Sequence, residues 1–135
     1  MFHSIVIGLK EDLPHEQLLA LAKKVAAEGA KIHLVSFVKV GTYEDEPARL
    51  KKMERELGAR AEALRGEGFD ASQEVGLIAV AAAGELIRLT SEREADLLVI
   101  GLAKRTRVGK ALMGSDAQRV MLGAECPVLV KRLCT

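Results

Sequence analysis

"ADLLVIGLAKRTRVGKALMGSDAQRVMLGAECPVLVKR", Ala95–Arg132, is the stretch on which the reading of this chain turns. "ADLLVIG" is apolar on both faces, as a central strand of a parallel sheet must be. A loop follows, Gly101 to Ser115, with three glycines, four cations (Lys104, Arg105, Arg107, Lys110) and no acid. "SDAQRVMLGAE" then reads as a short helix and "CPVLVKR" as a last strand. A basic, glycine-marked loop between a buried strand and a helix needs a reason.

The same alternation runs upstream. "FHSIVIGL" (Phe2 to Leu9) is short and β-branched, a buried strand. "KEDLPHEQLLALAKKVAAEG" reads as a helix. Asp12 serves as its cap, Pro14 sits in its first turn, Leu18, Leu21, Ala22 and Val25 share one face, and Gly29 stops it. "KIHLVSFVKV" (Lys31 to Val40) is a second strand. "YEDEPARLKKMERELGARAEALRGEG" is a long helix whose stripe is Leu50, Met53, Leu57, Ala61 and Leu64. Glu44, Asp45 and Glu46 at its start, and Arg60 and Arg65 near its end, suit the macrodipole. Its other charges read as a solvated face. "FDASQEVG" is a more polar third strand, expected at an edge, and "AVAAAGELIRLTSERE" is a third helix. Strict β-α alternation with buried strands implies an α/β fold: a parallel sheet with helices on both faces. Ligands of such sheets bind beyond the carboxyl ends of the strands, where the winding reverses. The loop at Gly101 starts at such an end.

The totals bound the function. At 135 residues the chain is the size of one domain. Half-hydrophobic composition with only 3% aromatics means an aliphatic core and no base-stacking surface for single-stranded nucleic acid. A net charge of +1 gives no global field for nucleic acid or an anionic membrane, so electrostatic function has to be local. No apolar run approaches the roughly 20 residues that span a bilayer. "MFHSIVIGLKED" has no basic region ahead of an apolar run and no A-x-A pattern, so no signal peptide is expected and the cytoplasm is the expected compartment. In an extended strand Cys126 and Cys134 would stand about 26 Å apart, too far for an intrachain disulfide.

The loop fails two named phosphate motifs. Seven residues, not four, separate Gly101 from Gly109-Lys110, and Ala111 follows where a P-loop has Ser or Thr. G-x-G-x-x-G is absent. The underlying physics still applies: glycines let backbone amides approach an anion, and Gly114-Ser115 stands at a helix start, where unpaired N–H groups and the dipole favour phosphate. The residues alone leave two readings open, a phosphate loop or a capped helix behind a basic surface loop.

"ADLLVIG", the loop, "MGSDAQRV" and "ECPVLVKR" together resemble the universal stress protein family, whose nucleotide-binding members carry G-x2-G-x9-G-S/T after the fourth strand. Gly101, Lys104 and Gly114-Ser115 reproduce that spacing, with Lys104 in place of the second glycine. The resemblance covers nearly the whole chain and implies one universal stress protein domain over residues 1–135. It implies an open five-stranded sheet of order 3-2-1-4-5, with ATP or AMP, and Mg with ATP, at the switch point between the first and fourth strands. On these positions Gly101, Gly114 and Ser115 would meet phosphate and ribose. Val38 would meet adenine through its backbone, and Lys104 and Arg105 would supply charge. The family's Asp after the first strand is replaced in "GLKED" by Lys10, which removes an acceptor for adenosine. The region between Gly76 and Glu85 is also apolar, Ala-rich and longer than is usual in the family. The resemblance further implies a homodimer through the last strand, "PVLVKR", whose exposed edge wants cover. Antiparallel pairing near Val130 would bring Cys126 of one chain toward Cys134 of its copy.

No catalytic set is visible. His3, His15 and His33 have no Cys, Asp or Glu at metal-ligand spacing, so no metal site is expected. Ser115 has no local base, "MGSDA" is not a nucleophile elbow, and Cys126 before Pro127 reads as packing. Slow ATP hydrolysis is the most this implies. Two functions follow. One is a stress-response sensor or regulator binding an adenine nucleotide. The other is a nucleotide-free interaction protein of the same fold, which Lys10 and Lys104 favour.

Overall fold

The computed structural model describes residues 1–11, 13–41, 46–79, 81–103 and 115–133. Five strands, β1 (Phe2–Gly8), β2 (Ala26–Lys39), β3 (Asp70–Ile78), β4 (Leu97–Ala103) and β5 (Val128–Leu133), form one sheet of order β3-β2-β1-β4-β5. Every pairing is parallel. The helices α1 (Glu16–Val25), α2 (Glu46–Gly66), α3 (Ala83–Glu92) and α4 (Ser115–Gly123) alternate with the strands. This is the α/β architecture and the strand order expected.

Strand alternation divides the core between the two faces. Ile5, Ile7, Ile32, Leu34, Leu97 and Val99 pack with Leu18, Leu19 and Ala22 of α1 and Met53, Leu57, Ala61 and Leu64 of α2. Val6, Val35, Leu98 and Ile100 pack on the opposite face with Ala83, Leu86 and Leu89 of α3 and Ala117 and Val120 of α4. Consecutive residues of β1 and β4 thus serve both cores, which is why Ile5–Ile7 and Leu97–Ile100 are apolar without a break. The α2 stripe is the one its periodicity predicts, with Leu50 half-buried at its border. β3 is the edge strand its polarity implied.

Four boundaries matter for the site and differ from the sequence reading. β4 runs on through Gly101 to Ala103, where the sequence puts the start of the loop, because Gly101, Leu102 and Ala103 pair with Lys131, Arg132 and Leu133 of β5. α1 ends at Val25 rather than running to Gly29, and Ala26 is already extended at φ −80°, ψ 139°. Ala26, Ala27 and Ala30 are buried, so packing overrides the helix preference of alanine. Phe2 pairs with Ala26 but Ser4 with Lys31, which leaves extra residues on β2. Gly29, at φ +70°, turns that bulge instead of stopping a helix. At its other end α1 begins at Glu16, with His15 as an N-cap that makes no side-chain capping bond, and Pro14 stands before the helix. The proposed cap Asp12, and Glu44 and Asp45 ahead of α2, lie outside the described residues. α3 starts at Ala83, because β3 continues past Gly76 to Ile78, whose carbonyl accepts from Val40 N–H at 2.8 Å.

At the amino end of the sheet, Asp96 fastens β4 to β1. Its carboxylate accepts from the backbone N–H groups of His3 and Ser4, each at 2.9 Å, and its own N–H donates to the Ser4 carbonyl at 2.8 Å. Burial would raise its pKa, but these bonds outweigh it and hold the carboxyl below its ordinary value. The β1–β4 register runs from Ile5–Leu97 to Ile7–Val99, and the carboxyl ends of the two strands lie beyond it.

Candidate functional site

A cleft of about 800 Å³ opens at those carboxyl ends. β1 and the turn after it supply Gly8, Leu9, Lys10 and Glu11; β2 supplies Val35, Phe37 and Lys39; β4 supplies Ile100 and Gly101. Ile78 closes one side, Arg49 and Lys52 of α2 another, and Ala82, Ala83, Leu86, Asp116, Ala117 and Val120 the wall from α3 and α4. β1 lies between β2 and β4, so the cleft sits where the connections change sides, the place such sheets bind ligands.

Its chemistry is of two kinds. The floor is apolar: Val35, Phe37, Ile78, Leu86, Ile100 and Val120. The N-termini of α3 and α4 open onto it through Ala82-Ala83 and Asp116-Ala117. Ala82 is the N-cap of α3 and offers no side-chain bond to the first-turn amides. Those N–H groups and the helix dipole favour an anion. An apolar slot beside anion-seeking amides suits a ligand with a flat apolar body and an anionic tail.

The turn after β1 is held firmly. The Lys10 carbonyl accepts from His15 Nε2–H at 2.8 Å and from Leu13 N–H at 3.3 Å. His15 Nδ1, the other ring nitrogen, is buried with no partner among the described residues. Glu11 takes two bonds from Arg49, Nε at 2.7 Å and Nη2 at 2.6 Å. Arg49's hydrogen bond holds the Glu11 carboxyl below its ordinary pKa, against partial desolvation.

The expected site residues fall as follows. Gly101 lines the cleft. Ser115 is the exposed first residue of α4, directly before the lining residues Asp116 and Ala117. Val38 has its side chain fully buried in the core beneath α1 and α2, while its neighbours Phe37 and Lys39 line the cleft. Lys104, Arg105 and Gly114 lie outside the described residues, as does Cys134. Cys126 packs against the α3–α4 core, and burial pushes its thiol pKa up. Among the described residues no group of three or more His, Cys, Asp or Glu could hold a metal, and no helix is long and apolar enough to cross a membrane.

Sequence reading missed Arg49, Lys52 and Lys39 as cleft residues, and it missed a cluster between β2 and β3. His33 is buried and stands opposite Ser72 in the register. Its Nε2 meets Glu74 Oε1 at 2.8 Å and its Nδ1 meets Ser72 Oγ at 2.7 Å. The pattern fits a neutral ring with Nε2–H donating to Glu74 and Ser72 O–H donating to Nδ1. Burial lowers the pKa of His33, Glu74 opposes this and Arg93 adds to it. A lowered folded-state pKa means the unfolded chain binds the proton better, so this stability is lost as pH falls from about 6.5 toward the lower folded value. Chemical denaturation between pH 7.5 and 5 should show stability falling with acid, and His33→Gln should flatten that slope. An unchanged slope would remove His33 as its source.

Comparison with known proteins decides the family. Residues 1–132 match the model of the universal stress protein family. The chain belongs to the universal stress protein family. A universal stress protein of Thermus aquaticus is 30% identical over 98% of this chain and 100% of its own length. One of Methanocaldococcus jannaschii is 33% identical over 61% of this chain but only 41% of its own length. Solved structures share the fold: the Archaeoglobus fulgidus universal stress protein in complex with dAMP has a TM-score of 0.63 at 20% identity, over 95% of this chain and 96% of that one. A universal stress protein in complex with cAMP reaches 0.65 at 23% identity, covering 98% of each chain.

Proposed function

We propose that this chain is a stress-response sensor or regulator that binds an adenine nucleotide, ATP or AMP, in the cleft between β1 and β4. One observation carries the reading: an apolar slot at the switch point onto which the N-termini of two helices, α3 and α4, open together. Family members in complex with dAMP and cAMP support it. The floor of Phe37, Ile78 and Leu86 suits adenine, and the helix ends, with Gly101, Gly114 and Ser115, suit phosphate and ribose. Lys104 and Arg105 would add charge to the phosphates, and Val38 would meet adenine through its backbone. Bound nucleotide supplies the signal; the chain supplies recognition, with Mg accompanying ATP and hydrolysis slow at most.

Residues 1–135 would act as one such domain in the cytoplasm, as a homodimer joined along β5. That strand ends the sheet, so its outer backbone edge is unpaired among the described residues.

A second reading, a nucleotide-free interaction protein, is favoured by Lys10, which lines the cleft where the family's binding members have Asp. Calorimetry with ATP, AMP and cAMP, with and without Mg, separates the two. Micromolar affinity for at least one nucleotide is expected; no binding up to millimolar concentration would establish the second reading. Sedimentation in the same buffer should give twice the 14.6 kDa chain mass, and a monomer would remove the dimer.

A further inference from the structure

The charges that line the cleft are unevenly placed. Asp116 stands at the α4 end. Lys10 after β1, Lys39 at the end of β2 and Lys52 on α2 line the β1–β2 side, together with Arg49 and Glu11. Glu11 is already engaged by both bonds from Arg49. None of the three lysines has a described carboxylate within ion-pair distance. Net charge over the whole chain is only +1, so this concentration is local.

AMP and ATP carry their charge at one end of the molecule. The helix N-termini on the α3–α4 side suffice for that end. A second set of three ammonium groups, on the β1–β2 side, has no counterpart on such a ligand. It has one on a nucleotide phosphorylated at two places. We propose that the cleft takes a nucleotide bearing a second phosphate on its ribose, and that Lys10, with Lys39 and Lys52, receives that phosphate. The proposal rests on the reading of the cleft as a nucleotide site.

Lys10 is the decisive residue. A carboxylate at this turn only accepts hydrogen bonds and so suits free ribose hydroxyls; an ammonium only donates and suits phosphate oxygens. Dinucleotide-binding sheets make the same exchange: an acid meets the free 2′-hydroxyl and a cation the 2′-phosphate. The turn that carries Lys10 is anchored by His15 and Leu13 on its carbonyl, so the exposed side chain leaves from a fixed point at the cleft's mouth.

Calorimetry of the full chain at fixed ionic strength should compare AMP, adenosine 2′,5′-bisphosphate, adenosine 3′,5′-bisphosphate and inorganic pyrophosphate. At least one bisphosphate should bind fivefold or more tighter than AMP and pyrophosphate alike. Lys10→Asp, an exposed change that leaves both cores intact, should abolish that preference, the ratio of bisphosphate to AMP affinity falling below twofold. AMP binding with any smaller bisphosphate preference would overturn the proposal and leave the nucleotide site standing. Pyrophosphate as tight as the bisphosphates, or a preference that survives Lys10→Asp, would also overturn it. Binding of no nucleotide at all would take down the site and the proposal together.

Discussion

Gly101→Val should destabilise the protein by about 3 kcal/mol, at the upper end of the usual cost of overpacking a core. Gly101 lies on β4 beside the cleft, but a Cβ there would point away from it. That atom would come within 2.5 Å of Leu133 Cδ1, 3.0 Å of Leu133 Cγ and 3.3 Å of Leu18 Cδ1. Leu133 is fully buried and Leu18 nearly so, which leaves neither side chain open space to swing into. No positive φ is involved, so steric contact alone makes the demand. Gly101→Ala tests this more finely. In open space it would stabilise by about 0.4–1 kcal/mol through the unfolded chain; here it should destabilise. Combining it with Leu133→Ala should relieve the clash, so the glycine substitution costs at least 1 kcal/mol less in that background, a coupling typical of residues in contact. Denaturant unfolding of the four proteins gives the coupling directly. Additive effects would mean that Gly101 is not there to make room for Leu133.

This bears on how the loop motif is read. The first glycine of the family's pattern has a packing reason in this chain that is independent of any phosphate. Its presence is therefore weak support for binding, and the two helix N-termini and the apolar floor carry more.

The fold was legible because the strands that matter are unambiguous. β1 and β4 are apolar at consecutive positions, which only a strand buried on both faces requires, and the α2 stripe is regular over four turns. Their order in the sheet was legible only through the family resemblance, since alternation alone leaves several parallel orders open. The end of α1 was not legible: "VAAEG" has strong helix propensity and a terminal glycine, and its extended path is set by burial of Ala26 and Ala30. The cleft was half-legible. Lys10 and Ser115 stand just past a strand end and at a helix start that the pattern located, and Gly101 lies two residues before the end of β4. Arg49 and Lys52 did not stand out, because a charge on a helix reads as solvated unless the neighbouring strand ends are known. The His33, Ser72 and Glu74 cluster depends on the β2–β3 register, in which residues 39 and 41 positions apart in sequence meet, and no local pattern encodes that.

Ser115→Asp should weaken ATP or AMP binding at least a hundredfold while leaving the melting temperature unchanged or raised. Ser115 opens α4 and is exposed, so the substitution disturbs neither core. A carboxylate in the first turn of a helix is favourable to the fold by about 0.3–1 kcal/mol, because it meets the unpaired amides and the positive end of the dipole. The same carboxylate would then hold the ground a phosphate needs. Two unit charges about 4 Å apart near a protein surface repel by about 4 kcal/mol, and a hundredfold loss needs only about 2.8 kcal/mol. Asp116→Asn is the converse change at the next residue. It removes an acid that already lines the cleft, and in the absence of Mg it should tighten nucleotide binding. Stability and affinity moving in opposite directions is what separates an anion site at α4 from a capped helix. If α4 were only capped, Ser115→Asp would raise the melting temperature and leave the calorimetric affinity within threefold of the parent, and the phosphate would have to be sought elsewhere in the cleft.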